Sequence, residues 1–353
     1  MTDLRVAIAG FGLAGEVFHA PLIAATEGLS VAAVATSNPV RAARARAQYP
    51  GVTVMADAAA LLADADRFDA LVIATPNRLH VPIARAALHR GVPVVVDKPV
   101  APGAAEAHAL VADFAAAGVP LTVFQNRRWD GDFLTVRRVV ESGVLGDVTR
   151  LESRYERFRP EVREGAWREL AGAAEGGGLL LDLGSHLVDQ ALTLFGPALR
   201  VYAEIDRRRA GALVDDDSFV AIEHAGGMRS HLWMSAVAPV GGRSLRVSGT
   251  LGGIETPGLD PQEEQLAAGL RPGDAGWGQG KPVRLVDRAG EERRMTPQPG
   301  AYQRFYAAVR DALRGEGAMP VDPRDSVAAL HVIDAARRSA ADATVIEIAG
   351  GRR

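Results

Sequence analysis

Hydrophobic positions along this chain follow two rhythms. In the first third they come as short, nearly unbroken runs: Val6 to Ala9, Leu29 to Ala35, Val52 to Val54, Ala70 to Ala74, Val92 to Val96 and Leu121 to Phe124. Stretches with helical spacing, such as Val81 to Arg90 and Gly103 to Ala117, lie between them. A strand without polar alternation is buried on both faces, and strands alternating with helices predict a parallel, doubly wound sheet whose ligands gather beyond the C-terminal strand ends. Past Phe124 the pattern changes. A helix over Asp130 to Glu141 (apolar at Phe133, Val136, Val139 and Val140) precedes strands at Val148 to Tyr155, Leu199 to Ile205, Ser218 to His224, Met228 to Ser235 and Ser244 to Ser248. Short turns such as Ala225-Gly226-Gly227 join several of these strands, so a large, mostly antiparallel open sheet covered by helices is expected. Tyr302 to Arg314 and Pro323 to Ala341 read as terminal helices. The rhythms divide the chain into an α/β domain over 1–124 and an α+β domain over 125–353. The uncovered face of the second sheet predicts a homodimer or homotetramer.

The first run feeds directly into Gly10-Phe11-Gly12-Leu13-Ala14-Gly15, a Gly-x-Gly-x-x-Gly turn between a strand and a helix. In that context Gly10 makes the turn, Gly12 lets backbone approach a pyrophosphate, and Gly15 lets the helix pack on its strand. The phosphates would sit at a helix N-terminus. After the second strand an acidic residue is expected if the cofactor is NAD. The chain has Thr36, Ser37, Asn38 and Arg41 there instead, hydroxyls and a cation at a helix start, which favours the 2′-phosphate of NADP and leaves NAD possible. Thr75, Pro76, Asn77 and His80, and then Asp97, Lys98 and Pro99, also begin at strand ends and are expected along the cofactor crevice. Asn126 and Arg127 follow the last strand. Asn126 is assigned to the cofactor, and Arg127 either to substrate hydroxyls or to a domain-bridging salt link. In the second domain, Gly176 to Gly178 precede an apolar helix interrupted by Asp182, His186 and Asp189 at spacings that place them on one face. A carboxylate and an imidazole one turn apart can orient a general base, or can simply stabilise the helix. Tyr155 and Trp167 are candidate sugar-contacting aromatics or core residues.

Composition narrows the function classes. With 353 residues, 48% hydrophobic and 24% charged, the chain has the make-up of a soluble globular protein, expected in the cytoplasm. It has no cysteine, which excludes disulfides, thiolate zinc sites and cysteine nucleophiles. A net charge of −3 gives no footprint for nucleic acid or an anionic membrane, and the histidines lack metal-ligand spacing, so no metal is expected. Arg207 to Arg209 and Asp215 to Asp217 read as a solvated strand end and a loop.

Taken together, the N-terminal fingerprint, Thr75-Pro76-Asn77 with His80, Asp97-Lys98-Pro99, and Gly176 to Gly178 with Asp182 and His186 resemble the glucose–fructose oxidoreductase, inositol dehydrogenase and rhizopine catabolism (Gfo/Idh/MocA) family across essentially the whole chain. Phe18-His19-Ala20-Pro21, Gln125 to Asp130 and Gly258 to Glu263 resemble its branch of NADP-dependent scyllo-inositol dehydrogenases. The resemblance implies an N-terminal Rossmann domain, a small-molecule polyol or sugar substrate, and a catalytic set falling on Lys98, Asp182 and His186. Asp97 stands where most of the family has Glu, a methylene shorter, which puts a contact to the nicotinamide ribose in doubt. Two other implied readings are a cofactor-binding regulator without chemistry, which would break that set, and an NAD-dependent glycoside-cleaving enzyme.

Overall fold

A computed structural model describes residues 2–162, 172 and 175–348. The six apolar runs form one parallel sheet of β1 (Leu4–Ala9), β2 (Leu29–Ala35), β3 (Thr53–Met55), β4 (Ala70–Ile73), β5 (Val94–Asp97) and β6 (Leu121–Phe124), in the order β3-β2-β1-β4-β5-β6. The strand order reverses between β1 and β4, which opens a crevice at their C-terminal ends. The connecting helices α1 (Ala20–Ala24), α2 (Pro39–Gln48), α3 (Ala58–Ala63), α4 (His80–Leu88) and α5 (Ala104–Ala117) start where the local chemistry says they should. Asn38 caps α2, its side chain accepting from the N–H groups of Val40 and Arg41, with Pro39 in the first turn. Gly118, at φ +66, ends α5.

The second sheet is larger than the sequence pattern suggested. After helix α6 (Gly131–Glu141), nine strands follow the order β14-β13-β12-β11-β7-β10-β9-β8-β15. They are β7 (Val148–Glu156), β8 (Ala198–Asp206), β9 (Asp217–His224), β10 (Arg229–Ser235), β11 (Arg243–Gly249), β12 (Gly252–Pro257), β13 (Val283–Asp287), β14 (Glu292–Met295) and β15 (Ile346–Glu347). Neighbours are antiparallel except β7 and β10, which run parallel and make the sheet mixed. The last strands along one side, β12 to β14, escaped the hydrophobic pattern because they are short, although Ile254 of β12 and Val283 and Leu285 of β13 are buried in the core. Between the buried positions of β13, Arg284 pairs with Glu255 and Glu292.

Helices α7 (Ser185–Phe195), α8 (Gln262–Ala267), α9 (Gln303–Leu313) and α10 (Pro323–Asp342) complete the fold. The apolar stripe of α9, with Tyr302, Phe305, Tyr306 and Val309 buried, packs in one core with Val6, Ile8, Val72 and Phe124 of the first sheet. The chain therefore returns to cover the N-terminal sheet near its end. Helix α10 lies against α5, α7 and β8, and its Asp334 accepts from the Ala104 N–H at 2.9 Å. These contacts fix the two sheets relative to one another, which the site between them requires.

Candidate active site

The glycine turn is shaped by two close packings and one opening. A Cβ on Gly10, which sits at φ +97, would lie 2.5 Å from the Ala74 carbonyl oxygen, and one on Gly15 would lie 2.1 Å from the Gly10 carbonyl oxygen. On Gly12 it would meet only an Arg41 nitrogen at 3.7 Å. Gly10 and Gly15 are thus demanded by the protein's own packing, while Gly12 leaves a cradle open to a ligand. The helix begins with a π-helical segment, Ala14–His19, before becoming α-helical. Leu13 projects from this turn largely exposed, and Phe11 is core, its ring edge-on to Tyr49. The Thr75 hydroxyl is buried beside the turn without a hydrogen-bond partner, an orphan that a bound nucleotide could satisfy. Beyond β2, Thr36 accepts from the Asn38 N–H at 3.3 Å, Ser37 is exposed, and Arg41 reaches back over Gly12. An anionic group lying on the turn fits these residues.

From this turn a cavity of about 380 Å³ runs between the two sheets. Lys98 enters it from the end of β5 through a cis Lys98–Pro99 bond. Its ammonium donates to the Asp182 carbonyl at 2.6 Å and to the Asp182 carboxylate at 3.0 Å. Asp182 lies in a second π-helical segment, Leu180–Gly184, that runs into α7 and carries His186 into the same cavity. Glycine explains how that segment comes so close. A Cβ on Gly176 (φ +86) would strike Asn77, and one on Gly178 (φ +99) would lie 2.1 Å from Asp215 Oδ1. Asp215 in turn accepts from the Leu180 N–H at 2.6 Å, holding the first turn of the helix from a distant loop. Burial pushes the Asp215 carboxyl up, against the opposing pull of that bond.

Not every expected residue reaches the cavity. His80 is fully buried, with Nδ1 2.8 Å from the Pro99 carbonyl and Nε2 2.9 Å from the Thr75 carbonyl, so it ties two strand ends together. Asn77 donates to the Gly176 carbonyl and bridges the two domains. Pro76 only leads into the turn that contains Asn77. Asp189 does not share a face with Asp182, because the wider π turn rotates it away and Arg128 pairs with it at 2.6 Å. Arg127 lines the cavity but is already paired with Asp130 and with Glu263 at 2.9 Å, with its guanidinium over the Tyr155 ring. Burial opposes its charge, and Asp130, Tyr302, Tyr155 and Glu263 together outweigh burial, so Arg127 stays protonated. Asn126, Tyr155 and Asp97 also line the cavity. The shorter Asp97 folds back to accept from the Lys98 N–H at 2.9 Å. Trp167 lies outside the described residues. Three groups were not assigned to the site by the sequence. Arg209 and Asp216, expected in solvent, form a buried pair at 2.9 Å, and Arg209 and Asp215 line the cavity. Arg157 and Arg159 line it too. His19 is buried, its Nδ1 2.6 Å from the Tyr306 hydroxyl and its Nε2 4.0 Å from Asp97.

Comparison with known proteins agrees with this architecture. Residues 4–125 match "Oxidoreductase family, NAD-binding Rossmann fold", and residues 137–348 match "Oxidoreductase family, C-terminal alpha/beta domain". The oxidoreductase YdgJ of Escherichia coli is 40% identical over 96% of both chains. The scyllo-inositol 2-dehydrogenase (NADP(+)) IolW of Bacillus subtilis is 31% identical over 97% of this chain and 95% of its own. Among solved structures, an oxidoreductase from Klebsiella pneumoniae superposes with a TM-score of 0.89 at 37% identity, covering 99% of this chain and 96% of that one. Among the described residues no helix is long and apolar enough to cross a membrane, and no cluster of potential metal ligands occurs.

Proposed function

The chain belongs to the Gfo/Idh/MocA family of oxidoreductases, and from that premise we propose that it transfers a hydride between C4 of an NADP nicotinamide and a ring secondary alcohol or ketone of a polyol or sugar. The observation that carries this reading is the convergence, in one cavity, of a lysine from the first sheet with an aspartate and a histidine from the second domain. The bound nicotinamide supplies the redox chemistry. What the chain must supply is a place for the hydroxyl proton and positive charge where the alkoxide develops. Two N–H bonds of the Lys98 ammonium are taken by Asp182, which aims the third into the cavity toward a carbinol oxygen. His186 is the proton acceptor in the direction of oxidation and the donor in reduction. The reverse assignment, with Lys98 as the proton acceptor, predicts that the acidic limb of the pH–rate profile for alcohol oxidation follows Lys98 substitutions and not His186 substitutions.

Binding of NADP is supported by the open cradle at Gly12, by the unpartnered Thr75 hydroxyl, and by Arg41 where NAD binding would call for a carboxylate. The relative named as an NADP(+)-dependent scyllo-inositol dehydrogenase supports the cofactor preference and a ring polyol substrate. The uncovered face of the nine-stranded sheet supports a homo-oligomer. Lys98→Met and His186→Ala are each expected to lower kcat about 10²–10⁴-fold while NADPH binding, followed by fluorescence, is retained. Wild-type turnover in either variant with NADPH bound overturns the assignment.

A further inference from the structure

Beyond the end of β7 the chain keeps pairing with the strand beside it. The Arg157 N–H donates to the Ser235 carbonyl at 2.9 Å, the Arg159 N–H donates to the Ala236 carbonyl at 2.7 Å, and Phe158 bridges Val237. Extended backbone alternates its side chains, so Tyr155, Arg157 and Arg159 all project to one face while Phe158 points away and is exposed. That face lines the cavity.

Among the described residues, charge pairing around the cavity leaves Arg157 without a carboxylate partner. Lys98 is held by Asp182, Arg127 by Asp130 and Glu263, and Arg209 by Asp216. The remaining carboxylates are also engaged, Asp97 with the Lys98 N–H and Asp215 with the Leu180 N–H. Among the described residues, Arg157 makes no ion pair, and its Nε is buried without a hydrogen-bond partner. A buried guanidinium N–H with no acceptor is costly, and a charged acceptor satisfies it best. The residues assigned to the cofactor's 2′-phosphate, Thr36 to Arg41, lie off the cavity, whereas Arg157 belongs to the second domain and lines it.

We infer that Arg157, with Arg159 next along the same face, binds an anionic substituent of the substrate, a carboxylate or a phosphate. The substrate class is then a sugar or polyol acid or phosphate ester, with the neutral compounds as poorer substrates. This inference rests on the reading of the cavity as an oxidoreductase site. Lys98 and His186 are left to the reacting carbon, and binding of the anion by Arg157 orients the ring.

The test uses three hexoses that differ only at C6, D-glucose, D-glucuronate and D-glucose 6-phosphate, with the full-length protein and NADP. The expected result is that one acidic hexose exceeds glucose in kcat/KM by roughly 10–100-fold, the range set by a single charge-assisted bond, and which one does so tells carboxylate from phosphate. Arg157→Gln collapses that preference toward unity, and Arg157→Lys recovers part of it. Calorimetric binding of each hexose to the NADPH-loaded protein gives a readout that needs no turnover. Acid-selective binding that depends on Arg157 without turnover would sink the oxidoreductase reading and leave the anion site standing. Equal or better binding and turnover of glucose, or a preference unchanged in Arg157→Gln, overturns the inference.

Discussion

His19 offers a quantitative check on how the active-site wall is packed. The imidazole sits at the end of the π-helical segment, its ring centre 4.4 Å from that of Phe124 at a tilt of 48°, with Tyr306 on one nitrogen and Asp97 4.0 Å from the other. Burial pushes it down from 6.5 to about 4, with Asp97 acting in the opposite direction and His80 reinforcing the fall. In the unfolded chain the same ring returns to about 6.5. Because the folded value is the lower one, the unfolded state binds the extra proton first, and stability is lost as pH falls. The contribution is fully present above about pH 7. It declines by about 2 kcal/mol at pH 5 and by about 3 kcal/mol below pH 4. His19→Gln removes the titration while keeping an acceptor for the Tyr306 hydroxyl, and its packing cost is a constant offset. Urea unfolding of both proteins from pH 4 to 8 should therefore show the wild type losing about 2–3 kcal/mol more than the variant across the acid range. Parallel curves would mean that the ring is solvated or charged in the folded state, and the packing of His19 against Asp97 would be wrong.

Other outcomes follow from the same geometry. Gly178→Ala must hold a side chain at positive φ and displace Asp215 from the Leu180 N–H, for a total of roughly 3–5 kcal/mol. Gly51→Ala, also at positive φ but with nothing within 4 Å, should cost only about 1–2 kcal/mol. Equal losses of melting temperature in the two variants would show that Asp215 is not packed against Gly178. Arg41→Gln should raise the KM for NADP roughly 10–100-fold while shifting that for NAD far less. Equal effects on both cofactors would remove Arg41 from the 2′-phosphate. Light scattering at micromolar concentration should give a multiple of the 37.2 kDa chain mass, and a single-chain mass would refute assembly through the open sheet.

What the sequence determined by itself was the set of features carried by local pattern. The parallel strands were legible because burial on both faces leaves unbroken apolar runs, and β2 and β6 fall on the residues their runs predicted. The glycine turn and the Asn38 cap were legible because their chemistry lies within a few residues. Strands β12 to β14 were not, since each is short and carries only one to three apolar residues, too few to show a period before a neighbouring strand supplies the hydrogen bonds. Tertiary structure alone decided the environment of each charge. Asp215 and Arg209 read as solvated until a helix start 35 residues away and a buried Asp216 claimed them. His80 read as part of the cofactor crevice, and only the fold supplied the two backbone carbonyls that hold its ring. The physical reason is the same in each case. Period and turn chemistry are properties of neighbours in the chain, whereas the cost of burying a polar group is settled by whichever distant atoms the fold brings to meet it.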